Sequence, residues 1–305
     1  MFSQINQIPF NMKSLREILG IKSKQEKEEE HKKWMLMKLN LKEKILGLTQ
    51  PAVHLLKTSS KTGSKFGGNP IVDNSDFVWP RSNEKPMTFL AQINLNEISK
   101  EIEFEWLTNT GSVLFFYDVR EMPWGFDPKD RGKWKVIYQN NPSIELEPPL
   151  DLEAELVITE KFIETSKVEL LPSFEDKVIE NLNLTDEETD LYIEIGEHYA
   201  ELDPLQNHSA HQIGGFPRPV QGDLMQFEAE QASNGIYMSD EKGYKNIDDK
   251  DYDLAKKEWK LLFQFDSDDD LDIMWGDLGM IYFWVERSKS KENNFEDVWL
   301  VLQCH

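Results

Sequence analysis

Apolar positions along this chain recur at two periods. In residues 25–48, Trp34, Met37, Leu41, Ile45 and Leu48 step by three or four, which predicts a helix with one apolar stripe. Gly47 and Pro51 end it, and the stripe is expected to dock on a β body. Residues 88–95, 112–119, 134–139, 261–266, 280–286 and 298–303 are short aromatic and β-branched runs, which predict strands. Residues 153–162 alternate apolar side chains with acids and also predict a strand. Residues 185–199, 223–232 and 248–258 have helical spacing; Thr185 and Glu188 match a capping box at the start of the first. Residues 174–181 fit more than one element. Residues 51–86 and 204–221 have the Gly, Pro, Asn and Ser content of turns. Residues 1–23 read as an arm with one short helix at 13–19.

Three blocks then recur in the same order. FGGNP (66–70) is echoed by IGGFP (213–217), FLAQIN (89–94) by LLFQFD (261–266), and GSVLFFYDV (111–119) by GMIYFWVE (279–286). A repeated block implies a repeated supersecondary unit. The expected fold is α+β, mostly antiparallel β, with an internal duplication into two pseudo-symmetric halves and peripheral helices. Residues 1–50 form the N-terminal arm and helix, and residues 51–305 a single body. Half one covers about 60–140, half two about 205–305, and an acidic connecting region 141–204. Both strand pairs are apolar almost throughout, which predicts a sheet covered on both faces.

The net charge of −22 over 305 residues is uneven. Residues 1–60 hold 11 bases and 6 acids, whereas residues 141–210 hold 19 acids and 3 bases. An acidic body repels phosphate backbones, so direct nucleic-acid binding is not expected. No apolar run reaches a membrane span, and the first residues lack the pattern of a signal peptide. A single cysteine, Cys304, excludes an intramolecular disulfide, and a cytoplasmic location is the expectation.

Candidate chemistry is sparse. The Gly67-Gly68 and Gly214-Gly215 pairs allow positive φ and could cradle an anion, although neither matches a P-loop or GxGxxG pattern. Gln92 and Gln264 lie in otherwise apolar strands and must find hydrogen-bond partners, near a symmetry axis or in a shared cleft. The loop DSDDDLDIMWGD (266–277) places Asp266, Asp268, Asp270 and Asp277 at the ligand spacing of a calcium loop, with Leu271 where that loop needs glycine. No lysine or arginine stands between Lys260 and Arg287 to neutralise it. Asp266, Asp268 and Asp270 are therefore candidate ligands for a weakly held divalent cation; no other cofactor is expected. His208 and His211 lie three apart, but no CxxC, HExxH or GxSxG motif accompanies them.

At SKFGGNP (64–70), Trp79-Pro80, PMTFLAQINL (86–95), GSVLFFYD (111–118), HQIGGFPRPVQGD (211–223), LLFQFDSDDD (261–270), MWGDLGMIYFWV (274–285) and VWLVLQC (298–304), the chain resembles the YwqG-like family of bacterial proteins of unknown function. The resemblance covers roughly residues 55–305. It implies a soluble bacterial protein and carries no catalytic assignment.

With no nucleophile, metal or phosphate signature beside a strongly acidic surface, the expected function is non-catalytic binding of a basic protein partner, toxin neutralisation being one version. The alternative is an enzyme or small-molecule receptor with a cleft between the halves, using His211, Gln92, Gln264 and Asp277.

Overall fold

The computed structural model describes residues 22, 24–45, 47–202, 209–239, 241–244 and 248–305. The arm and its expected helix at 13–19 lie outside them.

Fourteen strands follow one another among the described residues. They are β1 (Gln50–Thr58), β2 (Lys65–Phe66), β3 (Ile71–Val72), β4 (Arg81–Ser82), β5 (Lys85–Pro86), β6 (Thr88–Asn94) and β7 (Ser112–Tyr117). Then come β8 (Trp134–Gln139), β9 (Ile144–Glu145), β10 (Lys161–Leu170), β11 (Gln212–Gly214), β12 (Trp259–Asp266), β13 (Met280–Glu286) and β14 (Trp299–Gln303). Ten of them build one antiparallel sheet in the order β14-β13-β12-β11-β1-β10-β2-β6-β7-β8. β1 and β10 are the long central pair, running from Gln50 opposite Leu170 to Thr58 opposite Phe162. The strands from β2 to β8 extend on one side as a first arm, and those from β11 to β14 on the other as a second.

Each arm carries the same register details. β6 slips against β7 between Phe89 and Ala91, and β12 slips against β13 between Leu261 and Phe263. Lys65 opposes Gln92, and Gln212 opposes Gln264.

The sheet curls until its two ends meet. Phe115 of β7 packs against Phe263 of β12 and Phe283 of β13, with ring centroids 4.7 and 5.1 Å apart. These strands are far apart in sheet order, so their rings touch only across a closed interior. At the seam, Trp134 of β8 meets Trp299 of β14 edge to face at 5.0 Å. The result is a nearly closed, barrel-like sheet.

Both faces are covered, as the unbroken apolar runs predict. On the outside of the first arm, Phe89, Leu114 and Phe116 pack with Val72, Trp79 and Met87 from the connecting turns. On the second arm, helices Met225–Ser233 and Asp249–Glu258 do the covering. Burial on both sides explains why strands β6, β7, β13 and β14 do not alternate with polar residues.

Three expectations need correction. Residues 153–162 are not one strand: Ala154–Leu156 is a 3₁₀ turn and β10 begins at Lys161. The alternation continues well past Phe162, and pairing with β1 decides which stretch is extended. β10 falls within the stretch taken as a connecting region, yet it lies at the centre of the sheet. The apolar stripe of helix Lys24–Ile45 docks not on the sheet but on helices Lys177–Glu180 and Asp186–Leu202, where Leu41 and Ile45 pack with Ile179, Leu191 and Tyr192. Ion pairs Lys33–Glu187 at 3.2 Å and Lys44–Glu188 at 2.7 Å join the two long helices. The basic helix thus neutralises part of the acidic stretch within the chain. The capping box forms as expected: Glu188 N–H donates to Thr185 Oγ1, and Thr185 N–H to Glu188 Oε2.

Candidate functional site

The repeated motifs hold their own arms together. Gln92 accepts the Ile71 N–H at 2.8 Å through its side-chain carbonyl; Gln264 accepts the Arg218 N–H at 2.8 Å and donates to the Ala210 carbonyl. Each amide fixes the chain just past its own Gly-Gly-x-Pro turn. A second such pair stands two strands away. Gln139 accepts the Asp73 N–H, and Gln303 accepts the Val220 and Gln221 N–H groups. The two motif glutamines therefore point into separate turns.

The glycines are closed in by protein. All four have positive φ, between 53° and 69°. The Gly67 N–H donates to Leu90 O and the Gly68 N–H to Ile158 O, so neither is aimed at an anion. A Cβ on Gly67 would stand 2.3 Å from Ile158 O, one on Gly214 2.6 Å from the Phe104 ring, and one on Gly215 2.6 Å from Ala52 Cβ. Glycine is required there by left-handed backbone and by close approach together.

The acidic loop is held by groups the linear sequence leaves distant. Lys57 of β1 reaches across to Asp268, 2.6 Å from each carboxylate oxygen, and to Asp270 at 2.7 Å. His211 Nε2 lies 2.9 Å from Asp268 Oδ2, while its Nδ1 accepts the Asp266 N–H at 3.1 Å. That second bond assigns the ring proton to Nε2, so neutral His211 donates to Asp268. Both ring nitrogens are engaged, and Phe66 and Phe265 flank the ring at 4.6 and 4.9 Å. Burial pushes the His211 pKa down and outweighs the Asp268 hydrogen bond. Burial alone would raise Asp268, but its bonds to His211 and Lys57 hold it well below the usual carboxylate range. Burial would lower Lys57, and its two carboxylate partners raise it instead.

The cation-loop residues are thus already committed. Asp266 accepts the Ala210 N–H, Asp268 holds Lys57 and His211, and Asp270 shares Lys57. Where the calcium loop needs glycine, buried Leu271 closes a 3₁₀ turn and left-handed Asp272 ends it. Among the described residues no three His, Cys, Asp or Glu side chains converge as a metal site. The expectation that nothing neutralises the loop fails because the cation comes from β1.

Asp277 is exposed and separate from His211; its carbonyl accepts the His305 N–H. Around it lies a surface that the one-dimensional pattern does not reveal. Met274, Leu278 and Trp124 are 51%, 59% and 40% exposed. Trp124 and Asp277 both bond the end of the chain, the first through Leu302 N–H, and Gly276 N–H reaches Met122 Sδ at 3.3 Å. Asp269, Asp272 and Asp277 stand exposed on the same loop, and no lysine or arginine among the described residues is within ion-pair distance of them. Met122, Asp272 and Leu278 all have positive φ, 45°, 54° and 49°. For an exposed leucine this backbone is costly and gains little packing in return.

Buried acids on the second arm also escape sequence reading. Asp223 faces Asp176, and burial pushes its carboxyl up to about 8 against the pull of Lys256. Glu228 is pushed up to about 7 by burial, although Tyr244 donates to it at 2.7 Å.

A family model described as a domain of unknown function (DUF1963) matches residues 64–304. No curated protein matches the chain. No helix among the described residues is long and apolar enough to cross a membrane.

Proposed function

The chain belongs to the DUF1963 family, whose function is unknown, and we propose from its own surface that it is a non-catalytic binding protein. Its docking surface is the rim formed by residues 122–124 and 269–278, and its partner is a basic protein. One observation carries this reading: exposed Trp124, Met274 and Leu278 stand among unpaired Asp269, Asp272 and Asp277. An apolar centre with a charged rim suits protein association, and the acids would steer a cationic partner. The left-handed Leu278 supports it further, since strain held at an exposed apolar residue is accounted for by contacts made on binding. His211 supports the non-catalytic part, because neither ring nitrogen is available for proton transfer.

We also read the two arms as an internal duplication, and the likeness to YwqG-like proteins as its family-level counterpart. Matching slips at Phe89/Ala91 and Leu261/Phe263, and matching glutamine-to-turn bonds, support it. A cytoplasmic place fits the single, buried Cys304.

The test is a comparative pull-down from the source cell, using the wild type and D269K/D272K/L278E. A basic protein retained by the first and lost by the second is then purified. Its affinity is expected to fall as salt rises from about 50 to 300 mM. If the same proteins bind both baits, or the purified complex ignores salt, the reading fails.

A further inference from the structure

A second candidate site lies elsewhere in the fold, where the helical layer meets the second Gly-Gly turn. A cleft of about 540 Å³ opens between the turn at residues 47–50, helix Lys177–Glu180, Phe216 and helix Asp249–Glu258. Its volume is that of a small-molecule site. Lys177, Lys256, Lys257 and Lys260 line it, against Asp176 and Asp253. In a chain of net charge −22, four lysines around one cleft form a local reversal of sign.

The charges do not cancel inside the cleft. Fully buried Asp176 takes the Lys256 ammonium and caps the following helix through Val178 N–H. Behind it, Asp223 keeps its proton at neutral pH, because burial and the neighbouring Asp176 and Glu175 outweigh Lys256. Lys256 is thus engaged by Asp176. That ammonium also rests 5.7 Å over the Tyr252 ring and 5.8 Å over Phe216, and Lys177 rests 5.1 Å over Tyr252. Lys257 and Lys260 have no carboxylate within ion-pair distance among the described residues. Lys260 is half-buried; burial and then Arg287 lower its pKa against the pull of Glu258, and its ammonium donates to the Lys256 carbonyl at 3.4 Å. A desolvated ammonium that no carboxylate pairs directly is a group that an anion would stabilise.

We propose that this cleft binds a small, multiply charged anion, with Lys257 and Lys260 as its principal contacts. An organic phosphate and a polycarboxylate share this chemistry. The volume of about 540 Å³ is on the scale of a small molecule, which is the occupant proposed. The site uses none of the residues of the Trp124–Leu278 rim, so either reading can fail without the other.

Calorimetric titration of the full chain at low salt with inorganic pyrophosphate, and separately with citrate, tests it. We expect saturable one-to-one binding of at least one of the two, weakened about tenfold or more in K257Q/K260Q. L278E should bind as the wild type does. Both lysines lack an acid partner, so K257Q/K260Q should melt at the wild-type temperature or above; exposed Lys257 changed alone (K257Q) is a second variant that keeps the fold. Pyrophosphate alone marks a phosphate site, and citrate alone a carboxylate site. Equal affinity in the wild type and both lysine variants, or no binding of either anion up to about 10 mM, would overturn the proposal.

Discussion

The indole N–H of Trp134 donates to the Val298 carbonyl at 2.8 Å and so bridges the two ends of the sheet. Trp134 begins the outermost strand of the first arm; Val298 immediately precedes that of the second. Trp134→Phe keeps most of the aromatic contact with Trp299 and removes this donor. A cost of about 1–2 kcal/mol is expected, with faster amide exchange concentrated in β8 and β14. Exchange rising evenly across the sheet would show that the bond does not hold the seam.

The two motif glutamines should differ in weight. Gln92→Leu leaves the Ile71 N–H without its partner, whereas Gln264→Leu abandons both the Arg218 N–H and the Ala210 carbonyl. Each buried orphan costs about 1–3 kcal/mol, so urea midpoints should fall further for the second variant. A larger fall for Gln92→Leu would contradict this ranking.

Lys57→Met leaves the buried Asp268 carboxylate with only neutral donors, the His211 ring and the Asp270 N–H, at a cost of about 3 kcal/mol. The depressed Asp268 pKa contributes stability that is present above its ordinary 3.8 and lost as pH falls below that value. Loss of Lys57 raises that pKa, so the variant should show a shallower acid slope below about pH 4 than the wild type. Parallel melting curves for the two proteins across that range would refute the coupling.

For Asp223 the sign is reversed. Its folded pKa, about 8, lies above the ordinary 3.8, so it favours the folded state least at high pH. The cost grows from about pH 4 to pH 8 and is complete above that. Asp223→Asn should therefore stabilise the protein at pH 8.5 by about 4 kcal/mol more than at pH 5. Glu228→Gln should behave alike, with its transition centred lower because its carboxyl is pushed only to about 7. A pH-independent difference would place the shifts elsewhere.

Leu278→Gly relieves left-handed strain and is expected to raise stability by about 0.5–1 kcal/mol while weakening partner binding. A stability gain with unchanged binding would make the strain incidental.

The repeated blocks were legible because each carries an apolar run, a lone glutamine and a paired glycine in one order. The matching roles of Gln139 and Gln303 were not, since their strands otherwise share little. An apolar stripe marks a buried face without naming what buries it; hence the spacing of Leu41 and Ile45 predicts that they are buried but not that helices, rather than the sheet, cover them. Lys57 is hidden for a similar reason: its contact with Asp268 depends on the register of three strands, β1, β11 and β12, which no local window contains. The Trp124–Leu278 surface joins two loops through the final strand, so only the folded chain assembles it.

The central pair has a consequence for synthesis. β1, which leads into the first arm, forms its outer edge against β11 of the second, with Val53 opposite Ile213; β10 in turn pairs with β2 of the first. Each central strand thus borders the other's arm. On the ribosome, β1 emerges early, yet one of its edges has no strand beside it until roughly 160 further residues have appeared, about 10–30 s at ordinary elongation rates. For that interval the nascent chain presents a nine-residue template that any extended segment could join. Truncations after residue 170 should therefore associate with one another, and only a chain that has released β11 can leave the ribosome with both sides of its first strand occupied.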